Sequence, residues 1–228
     1  MSHIWNKYDY NIDMKLLNFE KFINKETMAR FMARYELFKL IRGVKGSIIE
    51  CGVHYGGGVM AWAKLSTLLE PYAIRRKIIG FDTFEGFPEI NNKDLESEGN
   101  TDLEAGRFFS HNYIYDELVE CIDMYDKNRY LDSMYLNSKD KVELVKGDAR
   151  VTIPEYISRN NHLVVSMLFL DFDLYEPTKV ALENLVKRIP KGGVIVFDEI
   201  NNELWKGDYR RSGIFRVVQQ SGNKEIRF

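Results

Sequence analysis

Short apolar runs recur along the chain, each closing on an acid or a polar turn residue and most followed by a stretch with helical spacing. Ser47–Cys51, Lys77–Asp82, Val142–Lys146, Leu163–Asp171 and Gly193–Asp198 are continuous enough in apolar character to be strands buried on both faces. Between them, Val59–Leu69 has the spacing of a helix and stops before Pro71, while Pro177 opens another that carries Val180, Leu185, Val186 and Ile189 up to Gly192-Gly193. Ahead of the first strand, Lys25–Arg42 sets Met28, Phe31, Met32, Tyr35, Leu37, Phe38 and Ile41 at helical intervals, with Gly43 as a stop. Strand, helix, strand in repetition requires crossovers, so the pattern predicts an α/β fold: a doubly wound, mostly parallel sheet of the Rossmann-like type, with an N-terminal helical segment over residues 1–45 and a ligand-binding domain over 46–228.

One region breaks the rhythm. From Glu89 to Glu104 the chain holds Glu89, Asp94, Glu96, Glu98, Asp102 and Glu104 against Lys93, and then Ile114, Leu118, Cys121, Ile122 and Tyr125 resume helical spacing. Residues 89–140 are therefore expected to be an insertion between the second and third strands, placed to act as a lid. The leading segment is rich in apolar groups, with Trp5, Tyr8, Tyr10, Leu16, Leu17 and Phe19, and needs a surface to cover them; a homo-oligomer is one expectation.

Composition narrows the function. A 228-residue chain with 45% hydrophobic residues fills a core, and a net charge of −2 gives no footprint for nucleic acid, which leaves small-molecule chemistry as the expectation. Two cysteines, Cys51 and Cys121, form no disulfide framework, and no signal core or membrane-length apolar stretch is seen, so the sequence is read as that of a cytoplasmic protein with no membrane partner.

The chemistry is suggested by where the acids fall. Glu50, Asp82, Asp148, Asp171 with Asp173, and Asp198 with Glu199 lie at or just beyond the ends of five strands, the edge where open α/β sheets bind ligands. Any one of them alone is more often a turn former or helix cap. The loop Glu50-Cys51-Gly52-Val53-His54-Tyr55-Gly56-Gly57-Gly58 lets a ligand approach the backbone, Gly52 and Gly56 included. Glu50 would repel a dinucleotide pyrophosphate but suits the ammonium and sulfonium of S-adenosylmethionine. Asp82 could accept the ribose hydroxyls, and Asp148 either the adenine amino group or the N–H groups of a helix it caps. Asp171 emerges from a buried strand, and with Asp173, Asp198 and Glu199 makes a carboxylate cluster for which a hard cation such as Mg²⁺ is the usual remedy. His3, His54, His111 and His162 form no zinc or triad spacing.

These residues in this order carry a resemblance. Ile49-Glu50-Cys51-Gly52-Val53, then Gly80-Phe81-Asp82-Thr83-Phe84-Glu85-Gly86-Phe87-Pro88, then Leu170 to Thr178 and Asp198 resemble the macrocin O-methyltransferase family from roughly Thr27 to Asp208. The resemblance implies an enzyme that methylates a sugar or natural-product hydroxyl with S-adenosylmethionine and Mg²⁺, a catechol-like diol being the alternative acceptor. It implies Glu50, Gly52 and Asp82 as cofactor contacts, Asp171 and Asp198 as metal ligands and Asp173 as general base, with Asp171 the other candidate. Glu199 stands where the family often has a second aspartate, and His54 and Tyr55 replace more usual loop residues. Such folds close with an antiparallel strand pair; Lys224–Phe228 reads as one strand, so one is expected to be missing. An NAD-dependent oxidoreductase and a non-catalytic nucleoside-binding module of the same fold are the alternatives.

Overall fold

The computed structural model describes residues 2–7, 11–88, 111, 113–131, 140–198, 214–219 and 222–227. Short helices α1 (Ser2–Lys7) and α2 (Ile12–Leu17) and a 3₁₀ turn at Phe19–Lys21 precede α3 (Lys25–Ile41), whose N-terminus is capped by Asn24 accepting from Thr27 N at 2.8 Å. Then come β1 (Ser47–Cys51), α4 (Gly57–Leu69), β2 (Ile78–Asp82), α5 (Ile114–Leu131), β3 (Val142–Lys146), α6 (Ala149–Arg159), β4 (Val165–Leu170), α7 (Tyr175–Leu185), β5 (Val194–Asp198), β6 (Ile214–Gln219) and β7 (Gly222–Arg227).

The sheet order is β3-β2-β1-β4-β5-β6-β7. The first five strands are parallel, and β6 and β7 run antiparallel beside β5. The chain leaves β1 toward β2 on one side and later returns to β4 on the other, so the crevice between the carboxyl ends of β1 and β4 is the topological switch point. Both strands of the closing antiparallel pair are present, against the expectation of one. Ile214-Phe215-Arg216-Val217-Val218 supplies the strand that the sequence reading passed over.

Side-chain parity decides which helix each strand residue meets. Ile48, Ile78, Val142, Met167, Phe169, Val194 and Val196 pack with α3, α4 and α5 on one face. Ile49, Ile79, Phe81, Leu168 and Leu170 pack with α6 and α7 on the other. Val165 joins the second group because the β1–β4 register shifts between Ser47 and Ile48. On the first face, Glu50, Asp82 and Asp198 keep step with Ile48, Ile78 and Val196. Asp171 joins them by extending β4 one residue, its N–H donating to Cys51 O at 2.8 Å.

Helix α3 buries Ala33, Leu37, Phe38 and Ile41, but Phe31, Met32 and Tyr35 of the predicted apolar stripe are exposed, as are Ile12, Leu16 and Leu17 of α2. A wide apolar arc cannot all face one sheet, and its N-terminal half is left outside. Trp5 is partly covered from within, its ring meeting Phe22 edge to face. Most of the acidic insertion, and Glu199, lie outside the described residues. Among the described residues no helix is long and apolar enough to cross a membrane. Cys51, buried, and Cys121, exposed, are both free.

Candidate active site

Glu50, near the end of β1, is 3% exposed, and its Oε2 is buried without a hydrogen-bond partner among the described residues. Burial pushes its carboxyl up to about 8, opposed by the nearby Arg34 cation and the Trp62 indole and reinforced by Asp82. The indole favours the charged form by proximity without closing a hydrogen bond, since Trp62 Nε1 is also buried and unpartnered. Space for this carboxylate comes from Gly58, where a Cβ would collide with Glu50 Oε1. Gly52, at φ 91°, passes so close to Asp171 that a side chain there would strike its carbonyl oxygen. Gly56, at φ 82°, opens α4 against Leu118.

Asp82 does more than wait for a ligand. Its Oδ2 accepts from the backbone N–H groups of Val53 (2.7 Å) and His54 (2.8 Å), and its Oδ1 from that of Phe84 (2.7 Å). One carboxylate thus sews the glycine loop to the end of β2. About four lone-pair directions exist on a carboxylate, so a ribose hydroxyl can share Oδ1 but not take the whole group. Asp148 is more committed: it caps α6 by accepting from Arg150 N at 2.9 Å, and both its oxygens also meet the Arg150 guanidinium, which holds its carboxyl below the usual range. Of the two roles weighed for it, capping is the one the structure displays.

Asp171 and Asp198 come together at the ends of β4 and β5. Burial raises the Asp171 carboxyl well above its ordinary range, helped by the negative charges of Asp198, Asp173 and Glu50 and by its hydrogen bond with Asp198. Asp198 is raised by burial as well, though the bond from Asp171 and the cations of Arg30 and Arg34 pull the other way. Two carboxyls thus meet across one hydrogen bond, both raised by burial. Asp173 follows in a left-handed turn at φ 56°. Among the described residues, the three non-glycine residues with positive φ are His54, Phe84 and Asp173. They follow β1, β2 and β4, so the strained backbone gathers at this one edge. His54, exposed on the glycine loop, has its imidazole pushed down by desolvation and packs edge to face on exposed Tyr55. Among the described residues no three His, Cys, Asp or Glu side chains are already arranged as a metal cage; two of the predicted ligands, Asp171 and Asp198, do meet. Sequence reasoning missed Arg34, because an arginine in a helix full of charged residues reads as solvated.

A sequence model of the family described as Macrocin-O-methyltransferase (TylF) matches residues 21–216. The chain belongs to this family. A curated relative from Streptomyces olivaceus, named 8-demethyl-8-(2,3-dimethoxy-alpha-L-rhamnosyl)-tetracenomycin-C 4'-O-methyltransferase, is 28% identical over 187 residues, 79% of this chain. The match spans 64% of that relative's length. Among solved structures, the calicheamicin methyltransferase CalS11 superposes with a TM-score of 0.79 at 32% identity, covering 90% of this chain and 77% of that one. An apo structure of CalS11, described as a TDP-rhamnose 3'-O-methyltransferase, gives a TM-score of 0.71 at 26% identity over the same shares. The doubly wound sheet is thus the fold of the family's methyltransferases.

Proposed function

We propose that the chain is an O-methyltransferase that uses S-adenosylmethionine and Mg²⁺ to methylate a hydroxyl of a sugar, free as a nucleotide sugar or attached to a natural product. The observation that carries this reading is the joint placement of a buried Glu50, unpartnered among the described residues, and a hydrogen-bonded Asp171–Asp198 pair on one face of the switch-point crevice. The cofactor fits the β1–β2 side: the glycine loop leaves room at Gly52, Gly56 and Gly58, Glu50 Oε2 has no hydrogen-bond partner among the described residues, and Asp82 keeps one acceptor direction open. The metal fits the β4–β5 side, where two oxygen-donor carboxylates crowd and a cation would relieve their mutual repulsion; Glu199, outside the described residues, completes the proposed ligand set.

When bound, S-adenosylmethionine supplies an electrophilic methyl group and Mg²⁺ lowers the pKa of a coordinated hydroxyl. The chain's own residues do the positioning. Asp171 and Asp198 fix the reacting end of the substrate, and Asp173, held in its left-handed turn, is the proposed acceptor of the hydroxyl proton, with Asp171 as the second candidate. The acidic insertion over 89–140 is the proposed cover, and the exposed apolar groups of α2 and α3 are the proposed self-association surface. A cytoplasmic location remains part of the proposal.

Titration calorimetry with S-adenosylhomocysteine and with NAD, followed by methyl release on a panel containing TDP-rhamnose and rhamnosylated acceptors with and without Mg²⁺, tests the assignment. Binding of S-adenosylhomocysteine alone and Mg²⁺-dependent methylation are expected. NAD binding, or transfer that EDTA leaves intact, would sink it.

A further inference from the structure

Helix α3 carries two arginines on the inward stripe that contains Leu37, Phe38 and Ile41, because positions 30, 34, 37, 38 and 41 recur at intervals of three and four. The lower part of that stripe is apolar and fully buried; Arg34, one turn further up, is only partly exposed. Simple heights place it. From the turn at Gly43 back to Arg34 the helix climbs about 14 Å at 1.5 Å per residue, and from Gly46 to Glu50 the strand climbs about 13 Å at 3.3 Å per residue. Strand parity turns Glu50 to the α3 side of the sheet, so the two side chains meet at one level, at the mouth of the crevice.

There they form an incomplete pair. Arg34 Nε is buried and has no hydrogen-bond partner among the described residues, and the same is true of Glu50 Oε2. The Arg34 cation opposes the effect of burial on the Glu50 carboxyl, yet no hydrogen bond joins the two among the described residues. A guanidinium donor and a buried carboxyl, adjacent and each with an unsatisfied atom, are arranged to receive a molecule that carries a carboxylate and an ammonium on one carbon. Close packing would otherwise favour direct contact, since burying an unpaired charge is costly.

We propose that Arg34 and Glu50 together clamp the α-amino acid end of the cofactor, Arg34 taking its carboxylate and Glu50 its ammonium. This rests on the cofactor reading above and adds to it a residue from the N-terminal helical segment. A guanidinium presents planar N–H groups that match a carboxylate in a way lysine cannot, so the interaction should be selective for arginine.

The test uses three ligands in calorimetry: S-adenosylhomocysteine, its decarboxylated analogue, which keeps the ammonium, and 5'-methylthioadenosine, which lacks both groups. The parent protein should bind S-adenosylhomocysteine about 10- to 150-fold more tightly than the decarboxylated analogue, the range expected for hydrogen bonds to a charged group. Arg34→Met should erase that difference while leaving the affinity for 5'-methylthioadenosine in place, and Arg34→Lys should restore part of it. Equal weakening of all three ligands by Arg34→Met would make Arg34 a support for the loop and overturn the clamp. Should Arg34→Met fail to melt cooperatively, the parent protein decides: equal affinity for the acid and its decarboxylated analogue overturns the proposal. Binding of 5'-methylthioadenosine without such discrimination defeats the clamp alone, whereas failure of all three ligands to bind defeats the cofactor reading with it.

Discussion

At the amino edge of the sheet, Arg76 is 7% exposed and spends its donors on Glu70, on the carbonyls of Ile41, Val44 and Gly46 and on Ser166 Oγ. Beside it, Asp126 accepts from Arg129 and from Lys141 N, and Lys141 Nζ donates to Ala73 O at 3.0 Å although burial and the neighbouring Arg129 and Arg76 bring that amine down to about 8. At the carboxyl edge, Glu50, Arg34 and Trp62 keep buried polar atoms without partners among the described residues, and burial raises the hydrogen-bonded carboxyls of Asp171 and Asp198. Both edges bury charge. The first satisfies it within the protein and uses it to tie α3 to β1 and β4; the second leaves it open, as a ligand site must. Burial alone therefore does not mark function, and neither does a lone unsatisfied atom, since Ser66, Thr152 and Arg188 each keep one too; what marks the carboxyl edge is that Glu50, Arg34 and Trp62 keep theirs together.

That contrast can be broken by mutation, and the largest effect belongs to the open edge. Asp171→Asn and Asp198→Asn should each cut Mg²⁺-dependent turnover by about 10²–10⁴-fold, with S-adenosylhomocysteine affinity nearly unchanged and the unliganded protein no less stable. A loss of cofactor binding in a folded Asp171→Asn protein would move the pair into the cofactor site. At the closed edge the sign of the stability change reverses: Arg76→Met strands a buried Glu70 and three backbone carbonyls and should cost about 3–5 kcal/mol, read by urea unfolding. Its cofactor affinity per folded molecule should hold.

Glu50→Gln should stabilise the unliganded protein while weakening the cofactor. Its folded carboxyl titrates near 8 against an ordinary 4.5, so the fold favours the protonated form. The parent keeps that stability in full below about pH 4.5 and loses it as pH rises through 8. The gain in melting temperature of Glu50→Gln should grow across that window to the equivalent of about 2–4 kcal/mol; a gain independent of pH would show that Glu50 is already ionised and paired. The groups facing it, Arg34, Trp62, Asp82 and Asp171, are unchanged in this variant. Asp82→Ala frees three backbone N–H groups and should weaken S-adenosylhomocysteine binding by about 1–3 kcal/mol, measurable by calorimetry.

Strand positions were plain in the sequence because parallel strands buried on both faces read as unbroken apolar runs: Ser47–Cys51 and Val142–Lys146 are found as expected, and Lys77–Asp82 and Gly193–Asp198 start one residue late. The acids at the strand ends were legible for the same reason. Two things were not. Apolar spacing in α3 identified a helix but could not say which part of a wide stripe meets the sheet, so Phe31, Met32 and Tyr35 were expected inside, and Arg34 drew no notice. The second is partnership: Asp82 and Asp148 sit where the motif puts them, but the backbone N–H groups and the Arg150 guanidinium that occupy them depend on turns that no residue pattern specifies.

The shared parity of Glu50, Asp82, Asp171 and Asp198 bears on how such a protein can change. Each acid reaches the crevice because an even number of steps separates it from a core residue on the same strand. Inserting or deleting one residue inside β1, β2, β4 or β5 would swing that acid to the α6 and α7 side of the sheet and empty its place in the crevice. Point substitutions leave this arithmetic untouched, and so do changes of any length in the segments that join strands to helices. New acceptor preferences are therefore open to exchange of joining segments other than the Gly52–Gly58 loop and the Asp171–Asp173 turn, and closed to strand slippage, so a designer wishing to change the acceptor should keep the strand lengths fixed.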